Sequence, residues 1–218
     1  TAVGINALGA NIGGSENTAV GRNAMQANTS GGDNVAFGNA ALYSNTTASN
    51  NTAVGSAALL SNTTGASNSA LGTSALYTNT EGASNIAIGL NALYRNTTAS
   101  FNTAIGIDAL NENTTGAANI ALGREAYHNG TTGSQNVSIG NASMFAACTG
   151  DNNVALGYYS LQSNTSGATN TAVGAYAGDA LTTGSNNTSL GYQADSTAVD
   201  ASNEFTLGNA SVSALRCA

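Results

Sequence analysis

The chain has 218 residues, of which 27 are Gly; it has no Pro, no Trp and a formal charge of −7, and charged side chains make up only 7% of it. Four Arg and no Lys cannot displace the counterions of a nucleic-acid backbone, so that class of partner is excluded. No run of roughly eighteen apolar residues is present to insert in a membrane.

An excess of Asn, Thr, Ser, Ala and Gly often marks a disordered segment. Here 41% of residues are still hydrophobic, and they recur on a fixed beat. An apolar residue followed by Gly ends at Gly4, Gly21, Gly38, Gly55, Gly72, Gly89, Gly106, Gly123, Gly140, Gly157, Gly174, Gly191 and Gly208, always 17 residues apart. An unbroken period means units that stack on one another, because one insertion would break the stack. The opening Thr-Ala-Val-Gly lies inside a repeat unit, with no basic region preceding an apolar one as in a secretory signal. The chain is therefore expected to be a segment of something longer.

Each unit can be numbered from its Gly as position 0. Position −4 is Asn in eleven successive units, Asn17 to Asn187; −3 is mostly β-branched; −2 is Ala in ten of thirteen; and −1 is always large and apolar. This spells a short strand closed by Gly. Its −3 and −1 side chains are expected to point into the coil's own core. The Ala at −2 would then face outward, against a second chain; the alternative is that Ala fills a tight bend within one coil.

The unit continues Gly-x-x-Ala-Leu-x-x-Asn-Thr-Thr-Gly. Ala at +3 (Ala24, Ala41, Ala58), Leu or Met at +4 (Met25, Leu42, Leu59), Asn at +7 and Thr at +8 are compatible with a helical turn or with a second short strand bent at Asn-Thr-Thr-Gly. The expected fold is mainly β: a parallel β-solenoid or β-roll of about twelve coils, roughly 55–60 Å long at the spacing of parallel strands. Asn and Thr should form ladders from coil to coil. The recurrent glycines, Gly21, Gly38, Gly55, Gly72, Gly89, Gly106, Gly123, Gly140, Gly157, Gly174 and Gly191, are the expected structural turns.

The strand motif, as in Asn34-Val-Ala-Phe-Gly38 or Asn85-Ile-Ala-Ile-Gly89, resembles the head repeats of trimeric autotransporter adhesins, which are left-handed parallel β-rolls that trimerise through a strand face. Their repeat is typically shorter than this one, and the second half of the unit does not match. The last residues, Asn203-Glu-Phe-Thr-Leu-Gly-Asn-Ala-Ser-Val-Ser-Ala-Leu-Arg-Cys217, look like the junction that precedes a cleaved C-terminal chaperone in bacteriophage tail fibres and tailspikes. The resemblance implies a solenoid shaft over residues 1–202 and a junction over 203–218. It also implies a homotrimer, assembly in the host cytoplasm and a place in the virion. A bacterial surface adhesin head, an ice-binding solenoid and a polysaccharide depolymerase are the alternatives.

Residues that could carry chemistry are few. Cys148 and Cys217 lie four units apart, roughly 19 Å along the axis, too far for an intrachain disulfide. His128 has no second His or Cys at ligand spacing, so no metal site or cofactor is expected. Asp108 and Glu125 share +2 in adjacent coils, as a depolymerase pair or as tolerated surface repulsion. Arg95 and Glu112 share +6 and should form a surface ion pair. Tyr43, Tyr77, Tyr94 and Phe145 form an interrupted stripe at +5. Tyr158 and Tyr192 at +1, with Tyr159 and Tyr176 at +2, form a candidate saccharide patch, for a host-surface glycan; the alternative is that these rings cover the core edge or pack between chains. Thr46, Thr63, Thr80, Thr97 and Thr114 form the row that an ice-binding face would need. The expected role is structural rather than enzymatic.

Overall fold

Three residues per coil have the extended geometry that the β-branched pattern favours. In the computed structural model, which describes residues 1–212, they form one sheet. Its strands are β1 (Ala2–Val3), β2 (Thr18–Val20), β3 (Val35–Phe37), β4 (Thr52–Val54), β5 (Ser69–Leu71), β6 (Ile86–Ile88), β7 (Thr103–Ile105), β8 (Ile120–Leu122), β9 (Val137–Ile139), β10 (Val154–Leu156), β11 (Thr171–Val173), β12 (Thr188–Leu190) and β13 (Phe205–Leu207). They lie side by side in sequence order, so the chain is a parallel β-solenoid. Register follows the period: Ala36 lies opposite Ala53, and Phe37 opposite Val54. β13 falls within 203–218 and pairs with β12. Cys217 lies outside the described residues.

The outward and inward faces are the reverse of the sequence expectation. Ala19, Ala36, Ala53, Ala87, Ala104 and Ala121 are fully buried, whereas Val35, Phe37, Ile86, Ile88 and Ile105 are exposed. The reason is room. Ala at +3 and Leu or Met at +4 come from the opposite wall of the coil and are themselves fully buried. One Leu per coil, whose burial contributes about 1.5–3 kcal/mol, already fills the centre, so only a methyl fits on the strand side.

The second half of each coil is neither helix nor strand. It is a chain of turns that places non-glycine residues in the left-handed region, at +2, +4 and −5. In the Gly38 coil these are Ala40 (φ 55°), Leu42 (φ 51°) and Asn50 (φ 63°). Each such residue costs on the order of 1–3 kcal/mol. The compensation is that backbone amides in the turns reach neighbouring coils. In the next coil, Ala57 N donates back to Asn39 O (2.8 Å), while Leu59 N and Thr63 N donate forward to Ala75 O (2.9 Å) and Thr80 O (3.0 Å). The ladder therefore runs through the turns as well as the strand.

Two Asn rows complete the interior. At +7, Asn45 Nδ2 donates to Asn28 Oδ1 (2.8 Å) and to Ala48 O in its own turn (3.0 Å). At −4, Asn51 N donates to Asn34 Oδ1 (2.9 Å), and Asn51 Nδ2 to Gly65 O (3.0 Å). These side chains are buried, which is tolerable only because the amides are paired. The expected Asn ladders are present, inside the coil. The Gly at position 0 is required by contact as well as by conformation: Gly38 has φ 143°, and a Cβ there would lie 2.4 Å from Gly55 O of the next coil.

One coil departs from the pattern and compensates within itself. The Gly123 coil has Tyr127 where its neighbours have Leu or Met, and Gly130 where the preceding coil has Asn113. The ring occupies the space of the missing side chain: a Cβ on Gly130 would lie 2.1 Å from Tyr127 Cε2. Asn136 Nδ2 donates to the Tyr127 hydroxyl (2.8 Å), and burial pushes this phenol's pKa well above its usual value. The +7 ladder stops there, and Asn113 Oδ1 is left buried with no partner. In the next coil, buried Cys148 takes the vacated level, and Asn164 Nδ2 meets its Sγ at 3.5 Å.

Tyr127 and Gly130 should therefore behave as a coupled pair. Gly130→Asn alone forces overpacking and is expected to cost about 1–3 kcal/mol. Tyr127→Leu with Gly130→Asn extends the ladder by one coil and should recover most of that loss. Thermal unfolding of these variants and of Tyr127→Leu alone measures the coupling, and a double-variant loss equal to the sum of the two single losses would show that the residues act independently.

Candidate functional site

The outer face of the sheet is the largest feature that the coil interior does not explain. The strands present −3 and −1 side chains outward, and the −1 row is apolar from Val3 to Leu207. Phe37 is 56% exposed, Leu71 49% and Ile105 39%. Twelve steps of strand spacing by one short strand width give a face of roughly 600 Å². That is at the upper end of what a soluble monomer leaves open.

The four tyrosines at +1 and +2 lie side by side. Tyr158 meets Tyr159 edge-on at 4.2 Å and Tyr176 at 5.3 Å; Tyr159 stacks on Tyr176 at 5.7 Å; and Tyr176 meets Tyr192 at 6.2 Å. Tyr158 and Tyr192 are exposed. Much of the ring surface is spent on neighbouring rings. A hydrogen bond with Tyr158 holds the Tyr159 phenol above its ordinary pKa.

The +5 stripe forms two stacks. Tyr77 and Tyr94 are 5.0 Å apart and 12° from parallel, and His128 and Phe145 are 5.4 Å apart and 7° from parallel. Between them the row holds Asn111, which is buried. Its Nδ2 donates to Asn91 O (3.2 Å) and Asp108 Oδ1 (3.1 Å). Beside this break is a hollow of about 400 Å³ lined by Ser74, Asn91, Tyr94, Arg95, Asn111 and Glu112. Sequence reading found the interruption of the stripe but not the hollow, which depends on where the Asn111 amide folds.

Other candidate residues have ordinary partners. The Arg95–Glu112 ion pair forms at 2.8 Å as expected; exposed as it is, it contributes under about 1 kcal/mol. Asp108 accepts from Asn91 and Asn111, while Glu125 pairs with Arg124 at 2.8 Å. His128 Nδ1 lies 3.1 Å from Asp108 O. In the threonine row, Thr46 Oγ1 donates to Thr63 O (3.2 Å), Thr63 Oγ1 to Thr80 O (3.0 Å) and Thr97 Oγ1 to Thr114 O (3.1 Å). Those hydroxyl protons are committed to the next coil and are not free for lattice water. Burial pushes the Cys148 thiol pKa up, so it is held as an inert thiol. Among the described residues, no three His, Cys, Asp or Glu side chains group to hold a metal ion, and no helix is long and apolar enough to cross a membrane.

An acidic pair near the C-terminal end is not visible in the sequence pattern. Asp179 sits against Asp195, and Asp195 Oδ1 and Ser196 Oγ are buried without a hydrogen-bond partner. Burial first, then the charge and hydrogen bond of Asp195, push the Asp179 carboxyl up from 3.8 to about 6.

In comparisons with known proteins, no family model, no curated sequence and no solved structure matches the chain. Its function therefore has to be read from its own surfaces.

The acidic pair yields a pH dependence of defined sign. Asp179 binds its proton more tightly when folded, so the penalty for ionising it is absent below about pH 4 and complete above about pH 6. The C-terminal coils should be more stable at pH 5 than at pH 7, and Asp179→Asn should flatten that difference. Hydrogen exchange of the β11–β12 amides at the two pH values measures it.

Proposed function

We propose that this chain is a structural shaft segment of a homotrimeric fibre of the bacteriophage tail type, built by packing the outer sheet faces of three copies about a common axis. The observation that carries the reading is the −1 row, large and apolar along the described rod, exposed at positions such as Phe37, Leu71 and Ile105 and half-buried at the others. A face of this size in water is a standing cost, and its burial is the main driving force available for association. The two rows differ in character. Position −3 holds mainly Thr, Val and Ile, while −1 holds Leu, Ile, Val and Phe. Unlike rows suit a head-to-tail contact in which the −1 row of one chain meets the −3 row of the next, and such contacts close into rings.

The resemblance of the strand motif to trimeric heads, and of the C-terminal residues to a fibre junction, favours three copies over two. The interface is the apolar face rather than the alanine face, which lies inside each coil. A parallel stack with amides paired from coil to coil suits a stiff spacer, and side chains outside the sheet are left to contact a host surface. The role is mechanical rather than catalytic.

Light scattering across a range of concentrations tests the reading. The chain should show about three times its 21.3 kDa mass. Leu71→Glu with Ile105→Glu charges the outer face without touching the coil interior, and should give a folded species of one-chain mass. A parent that stays monomeric at high concentration would remove the proposal.

A further inference from the structure

We propose that the hollow at the break in the +5 aromatic row is a binding slot for a single neutral pyranose ring. Successive +5 residues stack at about the coil spacing, as the 5.0 Å and 5.4 Å pairs show. Where Asn111 replaces a ring, one level of the stack is missing, and Tyr94 and His128 are left two coils apart, roughly 9.6 Å by strand spacing. One face of Tyr94 is covered by Tyr77, and no ring of the row covers the other. His128 reaches back to Asp108 O and does not line the hollow, so a single ring entering it rests on Tyr94 alone, at about the 5 Å already used within the row.

The polar groups at this level select among rings. Asn111 is 8% exposed, and it spends its Nδ2 on Asn91 O and Asp108 Oδ1. Among the described residues, none donates to its Oδ1 or to Asn91 Oδ1. Arg95 and Glu112 close the rim through their 2.8 Å ion pair, and Ser74 adds a hydroxyl. An aromatic ligand would leave these acceptors unmet, at the cost of desolvating them. A pyranose lays its C–H face on Tyr94 and offers adjacent hydroxyls to the two carboxamide oxygens. The Arg95–Glu112 pair carries no net charge, which favours a neutral sugar over a uronic acid. About 400 Å³ accommodates one such ring with room for its glycosidic links to leave. In the tyrosine patch the rings pack on one another, so less of each ring face is free for a sugar. The slot lies within one chain, so it stands apart from the proposed trimer.

The test uses the full chain and saturation-transfer NMR with the methyl glycosides of glucose, galactose, mannose and N-acetylglucosamine, with phenol and methyl glucuronide alongside. At least one neutral glycoside should receive saturation. Asn111→Tyr completes the aromatic stack and should reduce that signal at least tenfold while leaving the melting temperature at or above the parent's. Tyr192→Ala should leave it unchanged. Overturning results would be no signal from any neutral glycoside at about 10 mM, signal from phenol or the glucuronide only, or binding that survives Asn111→Tyr. Binding lost in Tyr192→Ala but kept in Asn111→Tyr would place the sugar on the tyrosine patch and equally refute the slot. Repeating the measurement on the Leu71→Glu, Ile105→Glu chain separates loss of the slot from loss of assembly.

Discussion

Hydrogen bonding from each coil to the next, in the turns as well as in the strand, is the constraint on which the rest of the molecule depends. Because the amides of +2, +4, +6 and +8 reach neighbouring coils, every coil must place the same backbone atoms at the same height. That fixes the period at 17, since an added residue would shift a whole set of bonds by one position. It also explains how the chain tolerates left-handed residues at three positions per coil. Leu42 at φ 51° is unfavourable alone, but its amide is thereby aimed at Ala58 O of the next coil (3.0 Å). The interior Asn rows extend the same logic to side chains, because an amide can donate and accept at once and so can repeat indefinitely along an axis.

Close stacking makes the coil thin, and thinness decides which face is which. The fold, the period, the strand and the closing Gly are all legible in the sequence, because stacking repeats the same demands thirteen times. The orientation of the strand is not. Large residues normally point inward, and with alternation over three residues nothing local says otherwise. The inward direction is set by Leu and Ala arriving from +4 and +3, on a path made of left-handed turns. That path was illegible for a related reason: Leu, Met and Tyr at +4 give none of the Gly or Asn signals by which left-handed positions are usually read.

Three local departures from the repeat have different outcomes. Tyr127 with Gly130, Asn111 between two ring stacks, and Asp179 against Asp195 each replace a regular side chain by one the ladder cannot use. Only the Asn111 break shows in the sequence, as an interruption of the +5 aromatic stripe; the Tyr127–Gly130 exchange and the Asp179–Asp195 pair do not stand out there. Their chemistry is not legible in advance, because it depends on how the neighbouring coils respond. The Tyr127 gap is refilled by its own ring and stays inert. At Asn111 the amide folds toward Asp108 and Asn91, and a hollow remains.

The −1 row carries the strongest hint of an external partner. Nothing inside the coil requires a large apolar residue there, since the strand's contribution to the core comes from Ala at −2. β-propensity alone would be met by Thr, which fills −3 in several coils without disturbing the sheet. A solvent-facing row free of constraint would accumulate polar residues and lower its cost in water. The row instead stays Val, Leu, Ile or Phe through all thirteen strands, a demand that the proposed packing of three copies would supply.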